Sequence, residues 1–161
     1  MTKFASRLIV AVALATACAV AQSDTQKAFT TIKSMPGTWE GTSQEGPVQV
    51  TFKVVGGGTS VVSEILGKED MVSMFHMDGE RLLLTHYCSV GNQPRMAASV
   101  SPDGKTFTFT YVDATNLSAA DAGHMQQMIL TVIDPNHHTE EWVFADHGHE
   151  HRVTFDLRRK T

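Results

Sequence analysis

Three side chains able to do chemistry arrive together at the end of an aliphatic run. Leu82-Leu83-Leu84-Thr85 leads into His86-Tyr87-Cys88, and a Gly91-Asn92-Gln93-Pro94-Arg95 corner follows. An imidazole on a strand wall can act as a general base, ligate a metal or a haem iron, or hold a ligand by one hydrogen bond. Catalysis by His86 with Cys88 meets a geometric objection. Same-face neighbours on a strand lie about 6.5–7 Å apart, too far for a direct hydrogen bond. No third group to orient the imidazole is visible, and there is no nucleophile elbow, paired-cysteine motif or phosphate loop. The residues therefore favour binding over an isomerase or hydrolase centred on His86.

A binding site would draw on a wider set. His86, Tyr111 and Arg95 are expected to look into one cavity, with Asn92 and Gln93 at its rim beside Asn116 and His124. Apolar walls carrying a few placed donors are what a small-molecule pocket needs. An inward Arg95 would suit a carboxylate or another anion through paired hydrogen bonds. The opposing reading is structural, with Arg95 tied to the Asp113 region and His86 satisfied within the wall, because buried polar groups are paired whether or not a ligand exists.

The eight histidines raise a metal. A hairpin through His147-Gly148 would make Asp146 and His149 cross-strand partners, with His151 on the same face, enough N and O donors for zinc or copper. A hairpin tip supplies no further residues to orient them, and His137-His138 reads as a turn pair with diverging side chains. His86 as a haem ligand would follow the small barrels of the nitrobindin kind, but those carry their haem histidine late in the chain and no such motif occurs here. No metal ligand set and no cofactor is assigned.

The elements that must position these groups are strands. From Thr38 onward, short alternating runs are separated by turn signals, the pattern of an all-β sandwich or barrel, and about ten strands can be counted. Val48, Val50, Phe52 and Val54 alternate with polar residues, and Gly56-Gly57-Gly58 turns the chain. A two-residue Asp78-Gly79 loop would pair Phe75 with Leu82, Ser73 with Leu84 and Met71 with His86, so that His86 faces inward. His147-Gly148 would pair Phe144 with His151, Trp142 with Val153 and Glu140 with Phe155. A three-residue Pro102-Asp103-Gly104 loop pairs Ala97 with Phe109 and Arg95 with Tyr111, and turns Arg95 inward. A one-residue slip would turn it outward. The longest connection, Asp113 to Gly123, reads as a lid or as a plain surface crossing.

Ahead of the strands, Asp24 to Ser34 has helical spacing through Ala28, Phe29 and Ile32, with Ser23 or Asp24 as cap and Met35-Pro36-Gly37 as stop. Lys3, Arg7, the apolar stretch Leu8–Ala17 and Ala19-Val20-Ala21 read as a signal peptide over residues 1–21, giving a periplasmic or secreted protein of residues 22–161. Lipidation at Cys18 ranks second, because Leu14 stands one place too early for a lipobox. Removing Lys3 and Arg7 leaves 11 basic against 17 acidic residues, moving the net charge from −4 to −6. Such a balance excludes nucleic acid as a partner. The leader's apolar core is too short to span a membrane. Cys88 is then the single cysteine, so no internal disulfide forms, and its simplest role is a small buried apolar residue.

Several stretches carry a resemblance. Gly37-Thr38-Trp39-Glu40-Gly41 after a short helix, followed by an antiparallel meander, resembles the calycin type of barrel, which includes the lipocalins. Leu84–Cys88, Gly91–Met96, Asp113–Leu117, Gly123-His124-Met125 and Glu141-Trp142 are similar to exported bacterial lipocalin-like proteins of unknown function, related to the DUF1579 type. The resemblance implies a single antiparallel barrel whose Trp39 closes one end, and no reaction.

Overall fold

A computed structural model describes residues 22–161 of the chain; the leader reading for residues 1–21 and the lipidation reading at Cys18 lie outside them. One helix, α1 (Asp24–Ile32), precedes ten strands: β1 (Gly37–Ser43), β2 (Gly46–Val55), β3 (Ser60–Leu66), β4 (Met71–Asp78), β5 (Arg81–Tyr87), β6 (Gln93–Val100), β7 (Thr106–Thr115), β8 (His124–Asp134), β9 (His137–Asp146) and β10 (His149–Arg159). Each strand pairs antiparallel with the next, and β1 pairs with β10, so the sheet closes into the all-β barrel that the strand pattern implies. Closure removes every free sheet edge. No helix among the described residues is long and apolar enough to cross a membrane.

The helix starts where the sequence says it should. Ser23 Oγ accepts from the Gln26 N–H, and Gln26 reaches back to the Ser23 N–H, a reciprocal capping box. Ala28, Phe29 and Ile32 are buried and join one continuous core with residues from all ten strands. The Thr25 hydroxyl donates to Glu80 O in the β4–β5 turn, which seats α1 over that end of the barrel. Trp39 lies there too, 1% exposed, its indole N–H bonded to Met35 O.

Turn chemistry set the registers, with two departures. His147 (φ 46) and Gly148 (φ 81) form the left-handed pair of a two-residue turn, and Phe144, Trp142 and Glu140 face His151, Val153 and Phe155 as expected. At β4–β5 the loop is Gly79-Glu80 rather than Asp78-Gly79. Asp78 stays in the ladder, ion-paired to Arg81, and Gly79 (φ 60) takes the first loop position. The shift is two residues, so inward faces are preserved. Ser73 rather than Met71 faces His86, and Phe75 faces Leu84.

At β6–β7 the shift is odd, and it overturns the expected facing. Ser101 pairs with Thr106, Gly104 N–H bonds Ser101 O, and Asp103 accepts from the Lys105 N–H, which makes a four-residue loop. Ala98 now faces Phe109 and Met96 faces Tyr111, and a bulge between Arg95 and Met96 sets Arg95 opposite Asp113. Arg95 therefore points outward, its side chain 48% exposed and ion-paired to Asp113 through two hydrogen bonds.

Barrel closure has a steric requirement at Gly41. A Cβ there would overlap the Asp156 carbonyl oxygen and come within 2.8 Å of its carbon. The obstacle is backbone of the partner strand, so no rotamer change relieves it. Gly41→Ala is expected to cost about 1–3 kcal/mol in urea denaturation, with loss of hydrogen-exchange protection along β1 and β10. Unchanged stability would mean that the seam is looser than drawn.

Candidate functional site

The barrel has one plugged end and one open end. At the open end, a cavity of about 260 Å³ lies among the β1–β2, β3–β4 and β5–β6 connections and strands β9 and β10. Its inner wall is apolar: Val48, Ile65, Met71, Met125, Trp142, Phe144, Val153 and Phe155, with Cys88 between them. Its rim is polar, with Glu45, Lys68, Glu69 and His151. Strand alternation explains the wall, since Trp142 and Phe144 are two apart on β9, and Val153 and Phe155 two apart on β10.

None of the seven residues that the sequence suggested is in this wall. His86 packs against the wall residue Trp142. It is fully buried, its Nδ1 is 2.9 Å from Ser73 Oγ, and its ring lies against Trp142 with centroids 4.8 Å apart. Tyr111 stacks on His124, whose nitrogens meet Ala122 O and Gln126 Oε1. Asn92 donates to Gly123 O, Asn116 to Gly91 O, and Gln93 accepts from the Thr115 hydroxyl. These four polar residues, with His147 bonded to Asp121 through both N–H and ring, strap the 116–123 connection to the turns beside it. That connection borders the open end and contributes nothing to the cavity wall. Arg95, turned outward, cannot supply the anion contact proposed for it.

The Asp146–His149 cross-strand pair forms, but His151 does not join it in the donor set weighed for a metal. His151 turns toward Glu45 at 3.5 Å and Asp146 toward His147 at 3.8 Å. Among the described residues no three His, Cys, Asp or Glu groups converge on a point where a metal could sit.

The most unusual chemistry was not anticipated. His138 and Glu140 are fully buried on the inward face of β9. Glu140 accepts from the Trp142 indole N–H at 3.0 Å and lies 3.3 Å from His138 Nε2. His138 in turn meets the edge of Trp39 at 4.3 Å between centroids. Reading His137-His138 as a turn pair hid this, because both belong to the strand. A signal was present: the pairing of Glu140 with Phe155 already placed it on the face of Trp142.

Electrostatics argue against proton-transfer catalysis here. Burial pulls the His86 imidazole down to about 4, so it is a weak base near neutral pH. Burial pushes the Cys88 thiol up, so it stays protonated and poorly nucleophilic. Ser73 touches His86, but both are sealed from solvent. Nor does any accessible space lie beside His86 Nε2 in which a haem could stand.

The His86 shift carries a stability prediction. Above pH 6.5 the imidazole is neutral in both folded and unfolded chains. Below it the unfolded chain takes up a proton that the folded one refuses. Stability should therefore fall as pH drops from 6.5 to about 4, by about 3 kcal/mol in all, and this part should then level off. Urea midpoints across that window, compared with His86→Leu, check it; an identical pH slope in the variant would contradict it.

The chain matches no protein-family model and no curated protein.

Proposed function

We propose that this is an exported, lipocalin-like barrel that binds a small, largely apolar molecule in the cavity at its open end, without catalysing a reaction. The observation that carries the reading is the cavity itself: about 260 Å³, apolar inside and polar at the rim, opposite a plugged end. Ligand pockets run from roughly 300 to 1,000 Å³, so this cavity lies just below that range and its occupant is small. With Arg95 outside, no cation stands in the inner wall to hold a carboxylate, and the reading moves from an anionic ligand to a neutral one. Low basicity at His86 and low nucleophilicity at Cys88 support binding over catalysis.

Export follows from the leader-like residues 1–21. The mature chain should begin at Gln22, and mass spectrometry of material from the cell envelope decides it; a diacylglyceryl Cys18 would assign a lipoprotein instead. Binding is tested by native mass spectrometry of protein purified without refolding, together with titration of the neutral fluorophore N-phenyl-1-naphthylamine. One saturable site is expected, lost when Val153→Trp fills the cavity. Absence of both a retained molecule and saturable binding would refute the proposal.

A further inference from the structure

Three buried polar atoms among the described residues have no hydrogen-bond partner: His86 Nε2, His138 Nδ1 and Asn92 Oδ1. Buried polar atoms are nearly always paired, so each such atom asks for a missing partner. Their positions differ. His138 lies beneath Trp39 and Phe52 at the plugged end, and Asn92 is in the strapped turn. Of the three side chains, the His86 ring is the one that packs against a side chain of the cavity wall, Trp142.

The tautomer of His86 can be argued from its neighbour. Ser73 is fully buried, and its hydroxyl makes a single hydrogen bond, to His86 Nδ1. If Nδ1 carried the proton, the hydroxyl hydrogen and the Nε2 lone pair would both be unpaired. If the hydroxyl donates to Nδ1, only one atom is left without a partner, an Nε2–H. The arrangement with fewer unpaired groups makes His86 a fixed, neutral hydrogen-bond donor.

Trp142 is at once the ring packed against that imidazole and a wall of the cavity. Its indole N–H is held by Glu140, which gives the ring a pivot. We propose that the ligand carries a neutral acceptor oxygen at one end, as a ketone, aldehyde or ester does, and that this oxygen takes the His86 Nε2–H when Trp142 tilts on its Glu140 bond. This rests on the cavity-binding reading and names the chemical class of its occupant. A carboxylate is disfavoured, because an imidazole kept neutral by burial offers it no charge.

The probes are 2-octanone and n-octane, each competing against N-phenyl-1-naphthylamine on wild type and on His86→Leu. The expected result is that 2-octanone binds about tenfold more weakly to the variant, the worth of one hydrogen bond, while octane affinity is unchanged or improved. In wild type, long-range ¹H–¹⁵N spectra should show His86 with its proton on Nε2, and 2-octanone should move that resonance. The spectra need no variant, so the inference stays testable if His86→Leu does not fold. A proton on Nδ1, or a resonance that saturating ketone does not move, overturns the inference. Equal losses for ketone and hydrocarbon overturn it as well, while leaving cavity binding intact. If neither probe nor the fluorophore binds wild type, the cavity-binding reading itself fails.

Discussion

Glu140→Ala should destabilise the barrel by about 3–5 kcal/mol, far more than its loss of side-chain volume would suggest. The carboxylate is fully buried and accepts the Trp142 indole N–H at one oxygen while facing His138 Nε2 with the other. Truncation leaves two buried polar groups unpaired inside an apolar core, and each then carries its full desolvation cost. Glu140→Gln keeps an acceptor for the indole and should lose much less. The measurement is urea unfolding of both variants followed by far-UV circular dichroism. Equal, small losses would show that the cluster contributes packing alone. Since Trp142 is also a cavity wall residue, its fluorescence should change in the Ala variant before unfolding begins.

That cluster shows where the sequence could be read and where it could not. Strand count, helix and cap were legible because they depend on local signals: alternation, a Ser23 cap, glycine-bearing turns. The β4–β5 turn was misplaced by one residue, which shifts the pairing by two, without consequence for facing because side-chain facing repeats every two residues. At β6–β7 the pairing was off by one residue, which alone put Arg95 on the wrong side of the wall; the bulge between Arg95 and Met96 then made Asp113 its partner. Composition gives no warning of a four-residue loop closed by Asp103, since the same Pro-Asp-Gly suits several turns. The cavity was hidden for another reason. Its wall gathers Met71, Met125, Phe144 and Val153 from strands far apart in sequence, and only closure of the barrel brings them together. Polar residues that looked like a site, Asn92, Gln93, Asn116 and His124, proved to be the straps of a long connection.

Trp39→Ala should likewise cost about 3–5 kcal/mol, and its effect should be confined to one end of the molecule. Trp39 joins three elements at the plugged end. Its N–H bonds Met35 O between α1 and β1, its ring meets His138 on β9, and the Arg159 guanidinium of β10 lies over it at 4.3 Å. β1 also closes the barrel by pairing with β10, so the side chain ties the plug to the seam. Removing it opens a cavity that neighbouring core residues cannot fill without moving backbone, and frees the helix from its anchor. Trp39→Phe should recover most of the volume but not the Met35 bond, and fall between the Ala variant and wild type. Native-state hydrogen exchange should show the loss in α1 and at the start of β1. Protection in the turns around the open cavity should be unchanged, because no residue of the plug lines it. Under conditions where the variant remains folded, its affinity for N-phenyl-1-naphthylamine should therefore match wild type. Weaker binding in the folded variant would mean that plug and cavity are coupled through the His138–Glu140–Trp142 cluster, and that the two ends of the barrel do not act independently.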